Sequence, residues 1–239
     1  MASDPAMALC VIPARGGSKR IPRKNIRPFA GQPMLAWSIQ AARQAGCFAR
    51  IVVSTEDAEI AALAQQLGAE VPFLRPAHLA DDHAGTIPVV THAIDWLEQA
   101  GHPPEAVCCL YATAPFVQAD DLRQGLELLA TLPADRFVFS ASRYAFPIQR
   151  ALRLDAEGRA RMWQPACFSQ RSQDLEEAFH DAGQFYWGTP QAWRSQGPLF
   201  DGSLPLVLPR WRVQDIDTPE DWIQAEWMAQ AMTQAQAHG

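Results

Sequence analysis

Ile12-Pro13-Ala14-Arg15-Gly16-Gly17-Ser18-Lys19-Arg20-Ile21-Pro22-Arg23-Lys24-Asn25 is the stretch on which the reading of this chain turns. It follows an apolar run at 8–12 that reads as a buried first strand, and it precedes an amphipathic helical pattern from about 34 to 45. A Gly-Gly turn dense in cations thus sits where a strand hands over to a helix. Gly16 and Gly17 let backbone N–H groups approach an oxyanion closely, and the cations neutralise it. Arg15, Lys19, Arg20, Arg23 and Lys24 place five cations within ten positions of a chain whose formal net charge is -6. A concentrated positive site on an acidic protein suits a polyanionic small ligand such as a triphosphate. The plainer alternative is a solvated basic loop, and the Gly-Gly pair directly after a strand weighs against it. No G-x-x-x-x-G-K-[ST] spacing is present, so this is not a Walker A loop.

Outward from this turn, strand-like and helical segments alternate. A second strand is expected at 50–54, a helix at 58–67, and a short third strand at 70–74. Residues 86–99 read as a helix with Thr86 as N-cap and Pro88 in the first turn. Residues 106–111 form a nearly continuous apolar run, as a central parallel strand should. A helix at 120–132 and a strand at 137–142 follow. After an irregular region, strands are expected at 204–208 and 211–216, then a last helix at 219–232 and a frayed tail. This rhythm implies an α/β fold with a mainly parallel sheet covered by helices on both faces, in which ligands bind beyond the carboxyl ends of the strands. The segment 144–187 breaks the rhythm. It is rich in aromatics, Gln and Arg, and reads as an insertion with irregular or antiparallel structure inside a single domain spanning 1–239.

Bulk composition agrees with one large globular domain. The chain has 239 residues, of which 48% are hydrophobic and 19% charged. No apolar run is long enough to cross a bilayer. The start, with Met1 and Met7 as alternative first residues, has neither the basic nor the apolar part of a secretion signal. The five cysteines lack C-x-x-C spacing, and Cys10, Cys108 and Cys109 fall in strand-like runs, as reduced core residues do. These features point to the cytoplasm, and the acidic balance argues against nucleic acid as a partner.

A second charged motif lies near the C-terminus: Gln214-Asp215-Ile216-Asp217-Thr218-Pro219-Glu220-Asp221-Trp222. In extended chain, residues two apart point the same way, so Asp215 and Asp217 present two carboxylates to one place while Ile216 turns to the core. Paired hard oxygens at a strand end suit Mg²⁺, which takes one or two carboxylates together with substrate phosphates. Helix capping accounts for Thr218, Glu220 and Asp221, with Pro219 at the first helical position. It leaves Asp215 unexplained.

The Ile12–Asn25 stretch, together with Asp215-Ile-Asp-Thr-Pro-Glu-Asp221, closely resembles the cytidylyltransferases that activate nonulosonic, sialic-type acids, and the resemblance runs over nearly the whole chain. Arg143-Tyr-Ala-Phe-Pro-Ile-Gln-Arg150 and the segment from Ser172 to Trp187 are similar to the branch of that family acting on pseudaminic acid. Sialic acid members usually carry Leu-Gln-Pro-Thr-Ser-Pro after the fourth strand. Here the sequence is Leu110-Tyr-Ala-Thr-Ala-Pro115, so Tyr111 stands where a sugar-contacting Gln is common. The resemblance implies a Rossmann-like nucleotidyltransferase fold, a three-layer α/β/α arrangement with a mainly parallel mixed sheet. It also implies attack of the sugar acid's anomeric hydroxyl on the α-phosphorus of CTP, with pyrophosphate leaving. Arg15, Lys24, Asp215 and Asp217 would be the catalytic group, the two aspartates holding Mg²⁺. Ala14, Arg15, Gly16, Gly17, Ser18, Lys19, Lys24 and Asn25 would surround the phosphates, and Arg75, Ala80, Asp82 and Thr86 would lie near the cytosine. Sugar contacts would come from Tyr111, Gln149, Arg150, Arg171, Gln184 and Tyr186, an arginine suiting the acid's carboxylate through a bidentate pair. Family members are commonly homodimers with contacts through this region.

Other readings stand beside these. His78-Leu-Ala-Asp-Asp-His83 is a possible metal cluster, though its loop lacks regular ligand spacing, and a role in shaping the nucleotide pocket suits it better. His180-Asp181 could be an acid–base pair, but a structural or sugar-binding role fits better. Phe179, Phe185, Tyr186 and Trp187 could form a dimer interface, whereas Trp222 and Trp227 read as packing residues. The same chemistry on sialic or legionaminic acid, and a nucleotide-binding protein without catalysis, are the competing functions. The intact aspartate pair argues against the last.

Overall fold

β1 (Ala8–Pro13) is apolar along its length because both its faces are covered: Cys10 and Ile12 enter one core, Leu9 and Val11 the other. The computed structural model describes residues 8–80, 84–195 and 197–237. After β1 a long loop carries a two-strand ribbon, β2 (Pro28–Phe29) and β3 (Gln32–Pro33), and leads into α1 (Met34–Ala45). Then come β4 (Arg50–Ser54), α2 (Ala58–Gln66), α3 (Thr86–Gln99), β5 (Ala106–Leu110), α4 (Ala119–Leu129) and β6 (Phe137–Arg143). A small ribbon of β7 (Leu152–Leu154) and β8 (Ala160–Met162) follows, then β9 (Phe179–Gly188), α5 (Pro190–Ser195), β10 (Leu204–Leu208) and α6 (Pro219–Ala237).

The six-stranded sheet has the order β10-β6-β9-β5-β1-β4. β1 pairs in parallel with β4 and β5, and β10 with β6, while β9 runs antiparallel between β5 and β6. The chain moves outward from β1 to β4, then crosses back to β5 on β1's other side. A crevice therefore opens at the carboxyl end of β1, where the strand order reverses. On one face the core joins Ile12 and Leu110 to Leu35 and Ile39 of α1 and to Leu122 of α4. On the other, Val90, Ile94 and Leu97 of α3 pack with Trp193 of α5. These are the three layers expected.

A third, smaller core matters most for the crevice. Ile21 from the cation-rich loop, Phe29 from the ribbon, Ile216, and Trp222 and Ala225 of α6 are buried together. Phe29 and Trp222 meet edge to face at 5.5 Å. Ile21 has Arg20 on one side and Arg23 and Lys24 on the other, and Ile216 lies between Asp215 and Asp217. Burying the two isoleucines in one cluster brings the flanking charges of two remote segments together.

Several elements differ from expectation. Residues 70–74 form no strand: Glu70 makes an isolated parallel bridge to Val52, after which Pro72, with no N–H to donate, ends the pairing. Residues 211–216 are not a strand either. A tight turn at Arg210–Arg212 follows Pro209, and the chain then runs to Asp217 without pairing to any strand. Thr86 is the first helical residue of α3 rather than its cap, Gly85 holding that position. The segment 144–187 divides: its final part enters the middle of the sheet as β9, while the earlier part, with its ribbon, lies outside the sheet. β9 escapes a pattern reading because its register to β6 shifts. Phe139 faces Tyr186 but Ala141 faces Asp181, so residues 182–185 bulge. Gly183 takes φ +62 there, and Ser140 Oγ accepts the N–H groups of Gln184 and Phe185, both at 3.1 Å.

Candidate active site

The loop after β1 is held by two acids that follow β4. Gly16 N–H donates to Glu56 Oε1 at 2.7 Å, and a side chain at Gly16 would collide with the Asp57 carboxylate. Asp57 itself caps α2, accepting from Glu59 N at 2.9 Å and Ile60 N at 3.0 Å. Its second partner is the Arg23 guanidinium, which also reaches Glu59, and the Arg23 hydrogen bond is the main reason the Asp57 carboxyl lies below its ordinary pKa. Arg23 has φ +56, a left-handed conformation that this double ion pair holds in place. Asn25, buried, donates to the Arg15 carbonyl at 2.9 Å and closes the loop on itself.

These anchors leave a cleft of about 580 Å³ at the carboxyl ends of β1 and β5. Arg15, Ser18, Lys19, Arg20, Lys24 and Asn25 line one side, and Asp217 closes that end. Arg75, Leu79, Ala84, Gly85, Thr86 and Val89 line the other, with Tyr111, Ala112 and Thr113 between. Arg75 is buried, its guanidinium bonded to the Ser54 carbonyl and, at 3.2 Å, to Ser54 Oγ. Burial lowers its pKa, the nearby Glu56 charge opposing the shift. The Tyr111 and Thr86 hydroxyls share a hydrogen bond of 2.9 Å, and burial pushes the Tyr111 phenol up to about 12. Thr86 therefore spends its hydroxyl on the cleft wall, not on a helix cap.

At the acidic end, Lys24 Nζ donates to the Ile216 carbonyl at 2.5 Å and to Asp217 Oδ1 at 3.3 Å, and Arg20 reaches Asp217 Oδ2 at 2.9 Å. The surrounding protein desolvates the Asp215 carboxyl even though part of its surface is open. That desolvation, together with the Asp217 charge, raises its pKa against the opposing effect of Lys24. Among the described residues no group of three or more acids, histidines or cysteines gathers as a metal cage. Asp217 lines the cationic cleft and Asp215 does not, but the two carboxylates are near enough to feel each other's charge, and such a pair beside an open cleft suits a hard divalent cation that completes its shell with phosphate and water.

The expected site residues thus divide. Arg15, Ser18, Lys19, Lys24, Asn25, Arg75, Thr86, Tyr111 and Asp217 line one cleft. Ala14 is buried behind it and bonds to the Ser54 carbonyl, Gly16 faces Glu56, Gly17 is exposed, and Ala80 ends the turn that follows Arg75. Asp82, with Asp81 and His83 of the His78–His83 motif, lies outside the described residues. Of the sugar-side candidates only Tyr111 lines the cleft among the described residues. Gln184 is buried and donates to the Arg212 carbonyl at 2.6 Å; Tyr186 is buried behind Tyr111, with ring centroids 5.4 Å apart, and donates to Asp181. Gln149 donates to the Glu176 carbonyl, Arg150 binds the Gln170 carbonyl, and Arg171 is exposed beside Asp174. His180 bonds to the Asp181 backbone carbonyl, not to its carboxylate. Sequence reading passed over Glu56 and Asp57, whose signal was their place just past the carboxyl end of a parallel strand.

Residues 9–150 match the family model described as Cytidylyltransferase. The chain belongs to the cytidylyltransferase family. It is 45% identical to the pseudaminic acid cytidylyltransferase of Campylobacter jejuni over 89% of this chain and 92% of that one. It is 34% identical to the CMP-N,N'-diacetyllegionaminic acid synthase of Legionella pneumophila over 91% and 94% of the two chains. Among solved structures, a CMP:2-keto-3-deoxy-manno-octonic acid synthetase complexed with CTP superposes with a TM-score of 0.67 at 18% identity, covering 94% of this chain and 99% of that one. The fold is accordingly the Rossmann-like nucleotidyltransferase fold. As a cytidylyltransferase the protein is a nucleotidyl-transferring enzyme, and the cation-rich loop falls within the matched region while the aspartate pair lies beyond it.

Proposed function

We propose that this cytidylyltransferase joins CTP to pseudaminic acid, giving CMP-pseudaminic acid and pyrophosphate. The observation that carries the reading is the convergence of the Arg15–Asn25 loop and Asp217 on one cleft, in a chain 45% identical over most of its length to an enzyme named for that sugar. The lower identity to the legionaminic acid relative favours pseudaminic acid over that alternative.

In this reading Arg15, Lys19 and Lys24 neutralise the triphosphate, and the loop's backbone holds it in line with the attacking anomeric hydroxyl. Such transfer is mostly positioning and charge neutralisation. Asp215 and Asp217 hold Mg²⁺, which when bound would neutralise α-phosphate charge and polarise the sugar hydroxyl. Arg75 and Thr86, with the neighbouring loop, border the cytosine, and Tyr111 borders the sugar. Gln149, Arg150 and Arg171 belong to an excursion whose apolar side chains Phe146, Trp163 and Phe168 stand 82%, 65% and 77% exposed. That much exposed aromatic surface fits a homodimer in which the excursion meets a second copy. No helix among the described residues is long and apolar enough to cross a membrane, and the unpaired buried Cys10, Cys47, Cys108 and Cys109 suit a reducing cytoplasm.

Pyrophosphate release with CTP and a panel of nonulosonic acids tests the assignment. Pseudaminic acid should be the best acceptor. Equal turnover of sialic or legionaminic acid would overturn the sugar assignment, and no release with any acid would overturn the reaction.

A further inference from the structure

Arg20 enters the reading above only as part of the loop's general positive charge, yet it holds one oxygen of a carboxylate assigned to the metal. Its guanidinium lies 2.9 Å from Asp217 Oδ2, while Lys24 takes Oδ1 at 3.3 Å. Both oxygens of Asp217 are therefore paired with cations of the loop. The two cations are held differently. The Lys24 side chain is 16% exposed, and its ammonium is also fixed by the Ile216 carbonyl at 2.5 Å. The Arg20 side chain is 64% exposed, and it lines the same cleft as Arg15, Ser18 and Lys19.

An exposed arginine–carboxylate pair is weak, worth about 0–1 kcal/mol. A triphosphate offers the same guanidinium several oxygens and a larger charge, in the planar geometry that favours arginine over lysine. Arg20 and a divalent cation compete for Asp217 Oδ2, because the guanidinium already neutralises that oxygen and its charge repels a second cation there. We infer that Arg20 is a further triphosphate-binding residue that serves as counter-ion to Asp217 in the nucleotide-free cleft and is drawn off that carboxylate by incoming phosphates. The inference rests on the triphosphate and metal reading proposed above. It makes nucleotide and cation binding mutually reinforcing, since the ligand that removes Arg20 frees the oxygen the other needs.

The test uses Mn²⁺ as the metal probe and Arg20→Gln, which keeps a polar side chain and removes the charge. Mn²⁺ titration of the nucleotide-free protein, read by electron paramagnetic resonance of the free ion, should show the variant binding about two- to fivefold tighter than wild type. CTP binding measured in EDTA should weaken at least about threefold in the variant and lose part of its salt dependence. In an Asp217→Asn background the effect of Arg20→Gln on Mn²⁺ should vanish. Unchanged Mn²⁺ affinity in the nucleotide-free variant, or unchanged CTP affinity in EDTA, overturns the inference and leaves the wider reading standing. Failure of the wild type to take up Mn²⁺ beyond that bound by CTP itself overturns the metal assignment and this inference together.

Discussion

At Asp215, desolvation and the neighbouring Asp217 charge both raise the carboxyl pKa, and Lys24 only partly opposes them. The folded chain therefore holds this proton over a window just above the ordinary aspartate value in which the unfolded chain has lost it. Stability falls as pH rises through that window and stays lower above it. Asp215→Asn removes this penalty. Without added divalent cation, its melting temperature should exceed the wild type's at pH 7, with a smaller gap near pH 4; the rise is modest because the side chain is partly open to solvent. The same substitution, and Asp217→Asn, should reduce turnover by at least about a hundredfold with circular dichroism unchanged, since loss of one carboxylate removes several kcal/mol of transition-state stabilisation. Near-normal pyrophosphate release from either variant at moderate Mg²⁺ would remove that residue from the metal site. On the other wall, Lys24→Ala and Arg15→Ala should raise the apparent constant for CTP far more than that for the sugar acid, which separate titrations of the two substrates decide. Gly16→Ala should impair CTP use without changing any cation, because its methyl displaces the Asp57 carboxylate that holds Arg23.

At the level of elements, the Asp215 segment is tied to α4 by a buried bidentate pair. Arg212 meets Asp121 at 2.6 and 3.0 Å, both side chains 8% exposed, and Asp121 also accepts the N–H of Gln118 at the start of the helix. Removing one partner strands the other's charge in the interior. Asp121→Ala should thus cost about 3–5 kcal/mol in denaturant unfolding and loosen the chain leading to Asp215. A loss below about 1 kcal/mol would show that the pair is dispensable. The sequence makes β1 legible as an unbroken apolar run and α1 and α3 by their helical period, and 50–54 and 86–99 fall as the pattern predicts. It hides β9, whose bulge shifts the register midway, and it suggests a strand at 211–216 because apolar residues spaced along a short segment read as one even where no neighbour pairs with it. The cleft was legible from the two charged motifs themselves. The anchoring of the loop by Glu56 and Asp57 was not, since nothing local marks an acid that acts 40 residues away.

For the whole molecule, the prediction concerns what lies outside the sheet. The exposed Phe146, Trp163 and Phe168 leave the excursion between β6 and β9 with apolar surface that a single chain does not cover. Light scattering should report a dimer, and replacing all three aromatics by Ser should shift it toward monomer and lower sugar-acid use; a fully active monomer would refute the interface. CTP should exceed UTP by at least about a hundredfold, because a site built to hydrogen-bond one base edge leaves groups unpaired with another.

Lys24 grips the Ile216 carbonyl across 192 positions, and Ile21 is buried against Ile216 and Trp222. The cations of one segment and the acid of the other are thus brought together by the fold, not by neighbourhood in the chain. A chain cut before residue 215 keeps the cation-rich loop but lacks the Ile216 side chain that packs with Ile21 and the carboxylate that faces Lys24 and Arg20. On the function proposed above, readiness for nucleotide is then a property of the last segment's docking as much as of the loop itself.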